Sequence, residues 1–144
     1  MQKALEEAHK AYELNEVPIG AVIVKDGNII YSAHNEKELL QNSLKHAEIS
    51  AIELASKALG TWRLQGCEMY VTVEPCAMCA GAIIQARLDK IYIGAMDPVM
   101  GACGSKLNLL NDYNLNYKVK YECGILDEEA KELMQSFFRK LRNK

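Results

Sequence analysis

Met69-Tyr70-Val71-Thr72-Val73-Glu74-Pro75-Cys76-Ala77-Met78-Cys79-Ala80-Gly81-Ala82-Ile83 changes character halfway along. The first five residues are rich in β-branched and aromatic types, which predicts a strand. Pro75 then opens a helix carrying Cys76, Cys79, Ala82, Ile83 and Ala86. A strand running into a helix is half of a layered α/β unit, and the alternation spreads to both sides. Upstream, the spacing predicts a helix over about residues 46–59, with Ile49, Ile52, Ala55 and Leu59 on one face and Gly60 as its stop. Downstream, residues 90–94 read as a strand, 105–110 as a short helix and 117–122 as the last strand. Asp127 is expected to cap a final helix containing Ala130, Leu133, Met134 and Phe137. At the other end, Ala4, Leu5, Ala8, Ala11, Tyr12 and Leu14 space like an amphipathic helix, broken by Val17-Pro18-Ile19-Gly20. Residues 21–24 and 29–31 flank Asp26-Gly27, a type I′ hairpin signal. Together these predict an α/β fold with a mixed five-stranded sheet flanked by helices.

A chain of 144 residues, 49% hydrophobic, suits a single domain over 1–144 with a sizeable core. No apolar run is long enough to span a membrane. Met1 leads into a charged amphipathic segment, so no secretory signal is expected. Of five cysteines, Cys67, Cys103 and Cys123 are scattered singly, which points to a reducing, cytoplasmic compartment rather than a disulfide framework. Cys67 and Cys123 are expected to be small strand-edge residues. The net charge of −2 gives no sign of a broad nucleic-acid surface, though it can hide a local patch. Phe137-Phe138-Arg139-Lys140-Leu141-Arg142-Asn143-Lys144 is such a patch. At least one of its phenylalanines is expected in the core. Its cations favour a helix C-terminus and are candidate phosphate contacts.

His46-Ala47-Glu48 and the Cys76/Cys79 pair carry the chemistry. A Cys-x-x-Cys alone is compatible with a structural zinc, a redox pair or two buried small side chains. Structural zinc closes its shell with four Cys/His ligands, whereas catalytic zinc takes three and keeps a fourth position for water. Here one histidine and two cysteines are present, and an acid stands where a fourth ligand would be. Both segments fall at predicted helix starts, where the positive end of the dipole favours thiolate. The i, i+3 spacing puts both sulfurs on one helix face. Glu48 is placed to serve the water without binding metal, moving a proton to a ring nitrogen and then to a departing amine. The pattern H-x-E…P-C-x-x-C is the known signature of zinc nucleobase deaminases.

Beyond that signature, Val17-Pro18-Ile19-Gly20-Ala21, His34-Asn35, Trp62-Arg63-Leu64, Gly94-Ala95 with Asp97, Gly101-Ala102-Cys103-Gly104-Ser105 and Phe137-Phe138-Arg139 are similar to the bacterial tRNA-specific adenosine deaminases (TadA), within the cytidine deaminase-like superfamily. Nearly the whole chain is covered. The Gly-Ala-Cys-Gly-Ser segment and the terminal Phe-Phe-Arg favour this family over its relatives. The resemblance implies the three-layer cytidine deaminase-like fold and a Zn2+ ion on His46, Cys76 and Cys79, with Glu48 as the catalytic acid and base. It implies hydrolytic conversion of the wobble adenosine of a tRNA anticodon stem-loop to inosine by a homodimer. It implies substrate contacts from Ile19, Asn35, Ala47, Asp97, Phe138 and Arg139.

Two stretches depart from the family pattern. Asn42-Ser43-Leu44-Lys45 stands where Asp-Pro-Thr-Ala is usual, and Val99 where a lysine is common. The nearest rival is a deaminase of a free base, guanine or cytosine, which keeps the zinc set and needs no basic tail. A non-catalytic RNA-binding subunit typically lacks the glutamate that Glu48 supplies. For Asn35 the rival reading is a turn asparagine bonding its own backbone.

Overall fold

A computed structural model describes residues 1–112 and 116–144. Strands β1 (Gly20–Lys25) and β2 (Asn28–His34) form the expected hairpin. Asp26 has φ 51° and Gly27 φ 78°, the pair of left-handed residues that a type I′ turn demands. β3 (Cys67–Val73) lies antiparallel to β1, with Ala21 opposite Val71. β4 (Lys90–Ala95) and β5 (Lys120–Glu122) follow in parallel, so the sheet is mixed, in the order β2-β1-β3-β4-β5. Parallel neighbours need a crossover. Between β3 and β4 it is helix α3 (Ala77–Gln85).

Alternation along the strands sorts the helices into two outer layers. Ala21, Ile23, Met69, Val71, Ile91 and Ile93 share one core with Ala47, Ala51 and Ala55 of α2 (Ala47–Leu59) and Ala80 and Ile83 of α3. The opposite face carries Gly20 and Gly94 and is covered by α1 (Gln2–Glu13) and α5 (Asp127–Arg142). A side chain at Gly20 would put its Cβ 2.0 Å from the Ala4 carbonyl oxygen, so α1 rests directly on the β1 backbone. The three-layer arrangement is the one expected.

Four local expectations are corrected. The buried seam of α2 is Ala47, Ala51 and Ala55, while Ile52 and Leu59 pack from its flank and Ile49 is half-buried. A helix pressed against both the sheet and α3 needs small side chains along the seam. The short helix α4 begins at Leu109 and ends at Asp112, because Cys103 pairs with Asn108 and the Ser105 N–H donates elsewhere. The last strand has three residues. Tyr117 turns inward instead, its hydroxyl 2.7 Å from the carbonyl oxygens of Arg87 and Leu88. Leu126, at φ 56°, occupies the N-cap of α5, and Asp127 joins Glu128 and Glu129 in the first turn, favourable at the positive end of the dipole.

Cys67 opens β3 and is buried, while Cys123 follows β5 and is exposed. Phe137 is buried beside Tyr12, a burial that contributes about 1.5–3 kcal/mol. Phe138 stays 40% exposed. No helix among the described residues is long and apolar enough to cross a membrane.

Candidate metal centre

His46 is the N-cap of α2 and Cys76 the N-cap of α3, both in extended conformation. Cys76 therefore sits just outside the helix it was expected to lie in, and Cys79 is the third helical residue. With α2 and α3 packed side by side, the two caps meet. His46 Nδ1 lies 3.7 Å from Cys76 Sγ and 3.5 Å from Cys79 Sγ, and all three donor atoms are within 4.8 Å of one another. Tetrahedral zinc with Zn–N near 2.0 Å and Zn–S near 2.3 Å separates neighbouring ligand atoms by about 3.5–3.8 Å. One imidazole and two thiols at these spacings fit that ion. Among the described residues no other such cluster of donors forms.

The cysteines differ in acidity. The Cys79 thiol donates toward Cys76, which, with His46 alongside, holds the Cys76 thiol down to about 4. The same bond and burial push Cys79 up. His46 is raised, chiefly by its bond to Cys76. Glu48 is 3% exposed, and its Oε1 has no hydrogen-bond partner among the described residues. Burial disfavours its charged form and moves its pKa up to about 6. An unpartnered buried carboxylate oxygen costs stability, so its retention beside three metal donors points to use rather than structure.

Two loops wall this centre. Residues 36–45 leave the end of β2 and return to His46, and Glu36 N donates to Lys45 O at 3.0 Å. That closure brings Asn35 beside the histidine. Asn35 is buried, with Nδ2 donating to Val17 O at 3.3 Å and Oδ1 accepting from Lys37 N at 3.3 Å. The bond to Lys37 is the turn bond of the rival reading. Ile19 is half-buried against the main core and accepts from Asn35 N at 3.1 Å. Ala47, the residue after His46, is fully buried at the first position of α2. The second wall, residues 96–105, begins where Asp97 Oδ1 accepts from Val99 N and Met100 N. It turns outward through Val99, 70% exposed.

Phe138 and Arg139 are not brought to the metal donors directly. They lie in the other helical layer, and Arg139 pairs with Glu132 at 3.0 Å. Lys140 Nζ, on the next residue, donates to Asn15 Oδ1 at 3.0 Å and sits 4.8 Å from the Tyr12 ring centre. This ties the end of α5 to the segment that leads through Val17 to Asn35.

Two buried acids here escaped the sequence reading. Glu16 accepts from Glu38 N at 3.0 Å and Leu39 N at 2.6 Å and so latches the first wall. Glu74 holds the second wall, accepting from Asp97 N and Cys103 N, both at 2.9 Å. The available signal was an acid at the junction of each apolar strand with its flanking Val-Pro or Pro-Cys.

A family model of MafB19-like deaminases matches residues 1–142. The tRNA-specific adenosine deaminase of Bacillus subtilis (strain 168) is 49% identical over 144 residues, covering all of this chain and 89% of that protein. A solved chain from work on A-to-I editing by tRNA:A34 deaminases superimposes with a TM-score of 0.89 at 42% identity, over 92% of this chain and 96% of that one. The guanine deaminase of Bacillus subtilis gives a TM-score of 0.65 at 29% identity, over 99% and 91%. Fold is shared by both activities, and identity over the full length separates them. The chain belongs to the MafB19-like deaminases by its family model and to the family of the tRNA-specific adenosine deaminases by its relatives.

Proposed function

We propose that this chain hydrolyses the wobble adenosine of a tRNA anticodon stem-loop to inosine, releasing ammonia, as a single zinc-dependent deaminase domain spanning 1–144. The observation that supports it most is the buried, unpartnered Glu48 Oε1 beside the His46–Cys76–Cys79 donors. These three residues would hold zinc, which when bound supplies the acidity that makes water a nucleophile near neutral pH. Glu48 would accept a proton from the attacking water at Oε1 and pass it to the ring nitrogen, then accept the hydroxyl proton of the resulting adduct and pass it to the amine, which departs as ammonia. Burial keeps bulk water from competing for these protons. Asn35 orients the flipped base through its amide, which both donates and accepts. Ile19 and Ala47 form the apolar floor, and Asp97 shapes the second wall. The reading carries with it a cytoplasmic location and a homodimer. A stem-loop bearing a wobble adenosine should yield inosine, whereas free guanine and cytosine should yield no ammonia. Efficient turnover of either free base would move the assignment to the small-base deaminases.

If Asn35 serves the base, Asn35→Ala lowers kcat/KM for the stem-loop by about 10- to 100-fold, equivalent to the roughly 1–3 kcal/mol of an unpaired polar group. Melting temperature should fall modestly as well, because the bonds to Val17 O and Lys37 N are lost. A fall in stability with unchanged activity per folded molecule would assign Asn35 to the turn alone.

RNA contact is expected from the end of α5, where Phe138 offers a stacking surface and Arg139, Lys140 and Arg142 offer cations. The Arg139–Glu132 pair is exposed on both sides and is cheap to exchange for a phosphate. Binding should weaken steeply with salt, and each cation removed should flatten the salt slope by about 0.7 in log–log terms for single-stranded RNA. Truncation from Arg139 onward should raise KM and leave zinc content intact. Unchanged RNA kinetics in the truncated chain would exclude this surface.

A further inference from the structure

Glu74 stands at the exit of β3, two residues before Cys76, and is buried although it bears a carboxylate. Oε1 accepts from Asp97 N at 2.9 Å and from the Ser105 hydroxyl. Oε2 accepts from Cys103 N at 2.9 Å and Ser105 N at 3.0 Å. The donors come from both ends of the second wall, so one side chain gathers the entry and the exit of that loop. Between them lies Gly101. A Cβ there would fall 2.3 Å from Glu74 Cδ and 2.4 Å from the Asp97 carbonyl oxygen, so the loop closes on the carboxylate with no room for a side chain. Ala102 N donates to Pro75 O at 2.9 Å, and Glu74 N to Ala95 O at 2.8 Å. The loop is thereby fastened to the residues on either side of the strand exit that carries Cys76. Its outer turn presents Val99 and Met100 to solvent.

We infer that Glu74 is a positioning residue: it sets the 96–105 wall against the metal-bearing strand exit so that the exposed Val99–Met100 turn meets the nucleotides flanking the target base. This rests on the reading of the substrate as a nucleotide held within an RNA loop. Such a substrate must be gripped by its neighbours once its base is drawn out. A wall displaced by about 1 Å misplaces the substrate, which costs on the order of 10²-fold in kcat/KM. Glutamine at this position keeps the shape but turns an amide N–H2 toward N–H donors, so it cannot gather all four.

Glu74→Gln should therefore raise KM for the anticodon stem-loop by about 10²-fold with kcat nearly kept and zinc content unchanged. Hydrogen exchange at the amides of Asp97, Cys103 and Ser105 should accelerate, with helix α3 unaffected. Gly101→Ala, which leaves the carboxylate in place and pushes the loop away, should reproduce the KM effect, and the double variant should be no worse than either. If Glu74→Gln does not fold, Gly101→Ala decides alone. Unchanged KM and unchanged exchange would overturn the inference, as would loss of zinc or a fall confined to kcat, which would make Glu74 a support of the metal helix. If the wild-type protein leaves the stem-loop untouched, the functional reading fails, and the exchange measurements still decide whether Glu74 holds the loop.

Discussion

Glu48→Gln should retain zinc and fold and lose at least 10²- to 10⁴-fold in turnover, the usual contribution of one acid–base group. The loss should sit at the upper end because one carboxylate serves every proton transfer of the reaction. Glutamine matches the shape of the buried side chain, so no cavity opens. It also removes a carboxylate whose Oε1 has no partner, so stability should hold or rise slightly. Glu48→Ala should show the same catalytic loss with some loss of stability from the cavity. Metal analysis, melting curves and single-turnover inosine formation check the three parts separately. Near-normal kcat in a zinc-loaded Glu48→Gln protein would remove Glu48 from the mechanism.

Cys76→Ala should abolish both zinc binding and activity. Only two protein ligands remain, one short of the three that a catalytic zinc site takes. The effect extends to folding, because a metal that binds only the native state adds about 4 kcal/mol when present at a thousand times its Kd. For a domain of this size that corresponds to a drop of about 10 °C in melting temperature when a chelator is added to the wild-type protein. The Cys76→Ala protein should melt at the same temperature with and without added zinc. Stoichiometric zinc in that variant would exclude the His46–Cys76–Cys79 assignment.

The candidate metal donors were legible because their geometry is local. The i, i+3 pair and the i, i+2 acid each sit within one helical turn, and only the meeting of the two helix starts had to come from the fold. The hairpin was legible because Asp26-Gly27 states its own backbone angles. What was hidden depended on partners distant in sequence. The small seam of α2 is chosen by two neighbours at once, which favours alanine over the isoleucines that periodicity selects. Glu16 and Glu74 bind backbone N–H groups more than twenty residues away, and nothing near either residue announces those donors. Leu126 at a helix start is likewise set by the approach of α5 to the sheet, not by its own propensity.

The short bond from Glu36 N to Lys45 O makes residues 37–44 an exchangeable cassette. Its two ends are pinned beside Asn35 and His46, and Glu16 fixes its first turn from below, so length and composition can drift in the remainder without moving a metal donor. The stretch Asn42-Ser43-Leu44-Lys45 lies here, with Asn42 Oδ1 accepting from the Leu44 N–H at 2.9 Å. Side chains can therefore change between the two pins while the backbone at Asn35 and His46 stays anchored.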